Sequence, residues 1–285
     1  MEITCKYVKS ILPRRDPEGH KGTFGKVYCL CGAVGYTGAP VLAASGAVRS
    51  GSGLVYLGVP QDIWPVVAAK CDSAMPSPLP SAQGRLALAA EPLIRERMAA
   101  CDAVLMGCGL GRGQETDALT MALMDTEKPL VLDADGINAL ETHMDVLKRR
   151  RGLVTVMTPH EGEFFRVYGD VSCGRESGAV AYAARWGVYL ILKGHRTVVA
   201  APDGRMAVNT TGNSGMAKGG SGDILAGMVM SLLGQGMEPF EACCAAVYCH
   251  GLAGDLAAEA LGQRGMTPTD LLAQLPHAFR KVELG

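Results

Sequence analysis

The chain has 285 residues, 48% of them apolar, which is enough for the core of one large α/β domain. Its 27 basic and 28 acidic residues nearly cancel, so no global field favours nucleic acid or an anionic membrane. The start carries no charged-then-apolar signal pattern, no apolar run reaches the ~18 residues of a membrane span, and the ten cysteines include no CxxC pair. These features predict a cytoplasmic protein with reduced thiols, no membrane segment and no nucleic-acid partner.

Short apolar, β-branched runs alternate along the chain with helical patterns. They predict strands at residues 27–30, 54–59, 103–106, 130–132, 154–157, 189–192 and 197–201. Such alternation favours parallel pairing through right-handed crossovers, hence a three-layer α/β fold with a central, mostly parallel sheet flanked by helices. The sequence shows no linker or repeat, so residues 1–285 are expected to form one domain. The proline-rich patch 75–80 is expected to be an extended surface segment or loop.

The segment after the first of these strands, residues 31–40, is rich in glycine and small residues. It precedes an amphipathic run at 41–49, and Pro40 suits the first turn of a helix there. Gly38 and Ala39 leave room for a flat ligand to lie against the backbone.

Four alternating glycines follow the third predicted strand, between residues 107 and 113. Their spacing does not give GxGxxG, so a hydride-transferring Rossmann enzyme is disfavoured. The backbone around Gly109 either lets a ligand approach closely or forms a flexible turn between strand and helix.

The sequence Thr158-Pro-His-Glu-Gly-Glu163 predicts a helix start after a strand, with Glu161 and Glu163 in the first turn. Both acids would suit the helix dipole without any further role. Alternatively, Glu163 could hold a hydrated Mg²⁺, since this ion keeps several waters and takes few protein ligands. His160 stands where the strand ends.

Residues 193–197 carry three basic side chains between two predicted strands. They suit either the phosphate edge of a nucleotide or a solvated hairpin turn. The residues concerned are Lys193, Gly194, His195, Arg196 and Thr197.

The glycine-rich stretch 209–223 is the most informative part of the chain. Its glycines leave backbone N–H groups unshielded, and the apolar run after Asp223 predicts a helix whose N-terminus attracts phosphate. A bound anion would repel a carboxylate beside it, so the position of Asp223 indicates a function, such as taking a proton from an attacking hydroxyl. The alternative is that Asp223 only caps the helix. The phosphate-binding residues predicted here are Lys218, Gly219, Gly220, Ser221 and Gly222. A second helix is predicted from residue 238 to about residue 261, and its His250 is interpreted as structural.

Together, residues 35–40, 107–111, 132–138, 158–164, 193–197 and 212–223 resemble the successive motifs of the ADP- or ATP-dependent NAD(P)H-hydrate dehydratases, a branch of the ribokinase-like superfamily. The resemblance runs from about residue 26 to residue 270. It implies a ribokinase-like fold, Mg²⁺, ADP or ATP as phosphoryl donor, and hydrated NADH or NADPH as substrate. It assigns the hydrate to Ala39, Gly109, His160 and Asp223, the nucleotide to 193–197 and Gly222, and catalysis to Asp223.

The resemblance also implies a homotetramer and action on the S-epimer alone. Many bacterial members carry an additional epimerase domain, so a separate epimerase is an expected partner in the same pathway. Cys108 and Ser214 stand where proline is usual in the family, and Ala33 where serine is usual, which puts the local loop geometry in question. The sequence does not separate ADP from ATP, although the resemblance to bacterial members leans towards ADP.

Two other functions remain open at this point. A vitamin-precursor kinase of the same superfamily would use Asp223 on a stable alcohol and keep the phosphate on its product. A nucleotide-binding regulator without catalysis would have no need of Asp223 beside the glycine loop.

Overall fold

The structure is a computed structural model that describes residues 1–168 and 174–285. Its strands in chain order are β1 (Glu2–Ile3), β2 (Lys26–Leu30), β3 (Leu54–Pro60), β4 (Met75–Leu79), β5 (Ser81–Ala82), β6 (Arg85–Leu86), β7 (Ala103–Met106), β8 (Leu130–Leu132), β9 (Thr155–Met157), β10 (Tyr189–Leu192), β11 (Val198–Ala200) and β12 (Met206–Asn209). All seven strands predicted from the sequence are present, with their bounds shifted by at most one residue at either end.

The helices lie between these strands or follow the last of them. They are α1 (Cys5–Ile11), α2 (Gly38–Arg49), α3 (Trp64–Ala68), α4 (Glu91–Ala99), α5 (Gln114–Leu123), α6 (Asp135–Asn138), α7 (Val146–Arg149), α8 (Glu161–Tyr168), α9 (Arg175–Trp186), α10 (Ser221–Gly234), α11 (Pro239–Leu261) and α12 (Pro268–Leu284). Among the described residues, no helix is both long and apolar enough to cross a membrane.

The main sheet has the strand order β1-β12-β11-β10-β9-β8-β7-β2-β3-β4, and β5 and β6 form a separate hairpin. Its pairs are parallel except for β10–β11 and β11–β12, which confirms the prediction of a mostly parallel sheet. Two clusters of buried apolar side chains, on opposite faces, join the sheet to its helices. The parallel pairing brings the carboxyl ends of β7 to β10 to one edge of the sheet, where ligands bind in such folds.

The proline-rich patch forms β4, an edge strand paired in parallel with β3. The prediction of an extended segment is therefore confirmed, and the structure adds that it pairs. Pro76 and Pro78 are tolerated because a strand at the edge of a sheet can leave one side of its backbone unpaired.

Close helix packing supports the edge where the strands end. A Cβ on Gly46 of α2 would lie 2.6 Å from the carbonyl oxygen of Ile224, and one on Gly227 of α10 would lie 1.9 Å from that of Ala43. Only glycine permits such an approach, so α2 and α10 are held backbone against backbone under the loop that precedes α10.

Candidate functional site

A cleft of about 840 Å³ opens where β8, β9 and β10 end and α10 begins. Of the residues that the sequence singled out, it is lined by His160, Glu163, 193–197 and 218–223. Asp133, which directly follows β8, and His250 of α11 also line it. The carboxyl ends of three neighbouring strands therefore share one cleft with the start of α10.

The floor of the cleft is the start of α10. Gly220 precedes the helix with φ of 107°, a conformation that side chains other than glycine rarely adopt. Among the described residues, the backbone N–H groups of Gly219, Gly220, Gly222 and Asp223 meet no acceptor. Such N–H groups at a helix N-terminus form an anion site, and the helix dipole adds to it.

Asp223 is the third residue of α10, because the helix begins at Ser221, two residues before the predicted start. The residue at the cap position is Gly220, and no side-chain cap bond is made there. The structure therefore does not support the alternative in which Asp223 serves only as the helix cap.

Three ligand atoms of Asp223, Asp133 and Cys108 lie within 4.8 Å of one another at the base of the cleft. Burial, and next to it the negative charge of Asp133, raises the pKa of Asp223 from 3.8 to about 6. The nearby Cys108 thiol acts in the other direction and lowers the pKa of Asp223. A carboxylate with a pKa near neutrality suits a general base.

Asp133 is the fixed member of this cluster. Its Oδ1 accepts hydrogen bonds from the Thr158 hydroxyl at 2.6 Å and from the Lys193 ammonium at 2.8 Å, and its Oδ2 accepts one from Cys108 Sγ at 3.5 Å. Burial alone would lower the pKa of Lys193, but Asp133 and Glu163 raise it above its ordinary value. Lys193 thus stays charged under the carboxylates.

Lys193 also lies beside the anion site. A Cβ placed on Gly222 would be 3.3 Å from its Nζ. The remainder of the 193–197 segment connects β10 to β11 as a hairpin, and Arg175 fixes it by donating to the carbonyls of His195 at 2.6 Å and Lys193 at 3.2 Å. The two alternatives for this segment are therefore compatible, because it is a hairpin turn that lines the cleft.

His160 directly precedes α8, and Glu163 lies in its first turn, as predicted. Glu163 accepts a hydrogen bond from the backbone N–H of His160 at 2.9 Å and lies 4.0 Å from Lys193 Nζ. His160 Nδ1 accepts from the N–H of Gly162 at 3.0 Å, and the ring is exposed at the mouth of the cleft. Glu163 thus has Lys193 and the His160 backbone as partners, and it also lines the cleft.

Lys218 donates to the backbone carbonyls of Arg264, at 2.9 Å, and Met266. In this arrangement it ties the glycine loop to the turn between α11 and α12. The proposed role of its ammonium in neutralising phosphate stays a prediction.

Ala39 and Gly109 lie outside the lining of the cleft, but next to each other and to the carboxylate cluster. A Cβ on Gly109 would be 2.9 Å from the Cβ atoms of both Ala39 and Tyr36, and φ at Gly109 is 63°. Gly109 follows Cys108, whose thiol reaches Asp133 and Asp223. Ala39 and Gly109 thus lie next to Cys108 of the carboxylate cluster, and their role in binding the hydrate stays a prediction.

The sequence predicted α11 as a helix but did not indicate that it holds the glycine loop. Asp255 of α11 accepts from the N–H of Gly212 and the amide of Asn213, both at 2.9 Å. The ring of His250 bonds the carbonyl of Ser221 at 2.9 Å, and burial lowers the pKa of His250 to about 4, so the ring stays neutral. Because a carbonyl only accepts, Nε2 carries the proton. A polar face on a helix that is otherwise apolar was the available signal.

Asp133 was also missed as a site residue, although segment 132–138 was among the motifs of the family resemblance. The residue is 2% exposed, so its buried charge needs a cation beside it. Nothing in the local sequence indicates that Lys193, 60 residues away, provides it.

The comparisons with known proteins agree on one family. Residues 27–277 match the family model described as NAD(P)H-hydrate dehydratase. The chain is 42% identical over 287 residues to a bifunctional NAD(P)H-hydrate repair enzyme of Moorella thermoacetica, covering 99% of this chain and 54% of that protein. It is 33% identical to an ADP-dependent (S)-NAD(P)H-hydrate dehydratase of Bacillus subtilis, with 98% of each chain covered. The chain thus spans about half the length of the bifunctional relatives.

Solved structures show the same fold. The ADP/ATP-dependent NAD(P)H-hydrate dehydratase of B. subtilis, co-crystallised with ATP and Mg²⁺, matches with a TM-score of 0.82 and 28% identity over 99% of this chain and 98% of that one. A ribokinase-like superfamily protein of Enterococcus faecalis matches with a TM-score of 0.85 and 24% identity over 100% and 96% of the two chains. The predicted ribokinase-like fold is confirmed.

Proposed function

The chain belongs to the NAD(P)H-hydrate dehydratase family, and from this premise we propose that it uses ADP or ATP to dehydrate the S-epimer of hydrated NADH and NADPH. The reaction restores the reduced dinucleotide and releases phosphate with AMP or ADP. One observation carries the proposal: Asp223, a half-buried carboxylate whose pKa is raised to about 6, lies beside N–H groups of a helix N-terminus that meet no acceptor among the described residues.

The chemistry needs both parts of that arrangement. Hydroxide is a poor leaving group, so the hydroxyl of the hydrate is first converted to a phosphate ester. Asp223 takes the hydroxyl proton while the oxygen attacks the terminal phosphorus of the nucleotide, and the N–H groups of Gly219, Gly220 and Gly222 stabilise the charge on the transferred phosphoryl oxygens. The nucleotide leaves with one phosphate fewer.

The second half of the reaction breaks the carbon–oxygen bond. The ring nitrogen lone pair expels phosphate, and loss of a proton from the neighbouring carbon restores the dihydropyridine. The same N–H groups hold the departing phosphate, and Lys193, adjacent to Gly222, contributes positive charge there. Asp133 keeps Lys193 in place at 2.8 Å.

The donor set of the cleft fits a hydrated Mg²⁺. Glu163 is 5% exposed, faces the cleft, and one of its oxygens is oriented by the His160 backbone. We propose that Glu163 holds the ion through water, as an ion with few protein ligands requires. Bound Mg²⁺ would neutralise phosphate charge on the nucleotide.

We extend the proposal to the assignment of sites and to the setting of the enzyme. Residues 193–197 and 218–222 bind the nucleotide, and Ala39, Gly109, His160 and Asp223 bind the hydrate. Residues 1–285 act as one domain, which assembles as a homotetramer in the cytoplasm. We also propose that a separate epimerase in the same pathway converts the R-epimer into the substrate.

The test is a single assay on the purified protein. With Mg²⁺ and ADP or ATP, we expect the absorbance of reduced nicotinamide to return from its hydrate, with one phosphate released per molecule restored. Nucleotide consumption on a vitamin-precursor alcohol, with the hydrate left untouched, would overturn the dehydratase proposal in favour of a kinase.

A further inference from the structure

The hairpin β5–β6 lies against the flank of the site that carries Gly109. Its two-residue turn, Gln83 and Gly84, has φ of 52° and 75°, the left-handed pair that suits tight hairpins. The carbonyl of Gly84 accepts from the N–H of Val34 at 2.8 Å, and that of Leu86 accepts from the Thr116 hydroxyl at 3.4 Å. The hairpin is thus fastened to the loop before α2 and to α5. This helix follows residues 107–113, here called the glycine turn.

Arg85 projects from this hairpin across the glycine turn. A Cβ on Gly111 would lie 2.8 Å from Nε and 3.2 Å from Cδ of Arg85, and one on Gly113 would lie 3.6 Å from Cδ. The absence of side chains at these two positions gives the arginine its path. The side chain is half-buried and in contact with the backbone, so less of its freedom remains to be lost on binding.

Arg85 has no carboxylate partner among the described residues. None of their carboxylate oxygens lies within 4.0 Å of its guanidinium, whereas Arg112 of the same rim pairs with Glu141 at 3.0 Å. The acid beside Gly111, Asp135, accepts from the Gly111 N–H at 2.8 Å and from the Asn138 amide at 3.2 Å. A half-buried guanidinium without a counter-ion is suited to bind phosphate.

The position of Arg85 matches the shape of the substrate. Gly111 is two residues from Gly109, a separation of at most about 7 Å along extended backbone. Gly109 in turn adjoins the cluster that contains Asp223. A dinucleotide with its ring at Asp223 and lying along these glycines would carry its phosphates past Arg85.

We propose that Arg85 binds a phosphate group of the hydrated dinucleotide and contributes to the choice of substrate. This inference rests on the proposed function. The two sources of that phosphate are the pyrophosphate, common to both substrates, and the 2′-phosphate, present only in hydrated NADPH.

The experiment compares Arg85→Gln with Arg112→Gln, which removes the same charge from the same rim but from a guanidinium already paired. For Arg85→Gln we expect KM for a hydrate to rise about tenfold or more, with kcat and KM for ADP or ATP within about twofold of wild type. A rise for both hydrates identifies the pyrophosphate, and a rise for hydrated NADPH alone identifies the 2′-phosphate. Arg112→Gln is expected to stay near wild type.

Equal KM values for the two variants on both hydrates would overturn the inference. Arg85→Lys, which keeps the charge without the planar fork, is expected to fall between wild type and Arg85→Gln, and it serves if Arg85→Gln folds poorly. Calorimetric titration with the stable dinucleotides NADP⁺ and NAD⁺ reports binding without turnover. A wild type that binds them through Arg85 but leaves hydrates unchanged would contradict the proposed function and not this inference.

Discussion

On the proposed nucleotide side of Asp223, residues 209–222 are fastened to α11 by side-chain hydrogen bonds, including those of Asp255 and His250. On the proposed hydrate side, residues 31–39 and 107–113 meet through glycines and backbone contacts, with Tyr36 57% exposed and Arg85 without a counter-ion among the described residues. Under the proposed function, the nucleotide phosphate would meet backbone N–H groups held in place by a helix, whereas the hydrate would meet a glycine surface and a few side chains.

Asp223 stands between the two sides, so its replacement has the largest expected effect. Asp223→Asn keeps the size and hydrogen-bonding capacity of the side chain but removes the base. We expect kcat to fall by about 10² to 10⁴ while nucleotide and hydrate still bind. Steady-state kinetics and a thermal melt check this; near-normal turnover together with a clearly lower Tm would make Asp223 structural instead.

The raised pKa of Asp223 gives the next largest effect, on pH dependence. The base form is present above a pKa of about 6, so kcat/KM is expected to fall up to tenfold per pH unit as the pH drops below 6. Because the folded-state pKa exceeds the ordinary 3.8, the folded protein binds the proton more tightly than the unfolded chain between about pH 4 and 6.

The sign for stability follows directly. Ionised Asp223 lowers stability at neutral pH, and this penalty is relieved as the pH falls through 6 towards 4. Asp223→Asn is thus expected to have an equal or higher Tm than wild type at pH 7, and the gain should shrink towards pH 4. A flat activity profile between pH 5 and 8 would exclude Asp223 as the titrating base.

A substitution on the nucleotide side alone tests whether the two sides are supported separately. Asp255→Asn replaces one of the two oxygens that accept from Gly212 and Asn213 with an NH₂ group, which cannot accept. We expect KM for ADP or ATP to rise about tenfold and KM for the hydrate to change less than about twofold. Equal losses for both substrates, measured by steady-state kinetics, would show that the two sides are not separately supported.

The matching change on the hydrate side has the smallest expected effect. Gly109→Ala places a Cβ 2.9 Å from those of Ala39 and Tyr36, at a φ of 63° that costs a non-glycine residue about 1 to 3 kcal/mol. We expect KM for the hydrate to rise about fivefold with little change in KM for the nucleotide. A larger effect on the nucleotide than on the hydrate would reverse the assignment of the two sides.

Much of the fold could be read from local patterns. Apolar runs of three to five residues gave β2, β7, β8 and β10, and the period of the run after Asp223 gave α10. The strand β1 was missed because two residues carry too little pattern, and β12 was missed because Met206–Asn209 contains a single β-branched residue, Val208. The capped helix α12 was also left unpredicted.

The site divides in the same way. The glycine loop and Asp223 are contiguous, so their chemistry is legible from residue types and spacing alone. The pair of Lys193 with Asp133 and that of Gly212 with Asp255 join residues 60 and 43 positions apart, and no local pattern indicates such pairs. The sequence therefore assigned Lys193 to the nucleotide edge but did not indicate its ion pair with Asp133.

Neighbouring residues were enough to indicate the alternation of strands and helices, the glycine-rich start of α10 and the carboxylate there, because backbone freedom, hydrophobic period and charge are local properties. The folded arrangement was needed to show that burial and then the charge of Asp133 raise the pKa of Asp223, that α11 fixes the loop, and that Arg85 crosses Gly111. Electrostatic and packing energies depend on distance in space, and distances between remote segments exist only once the sheet has brought them together.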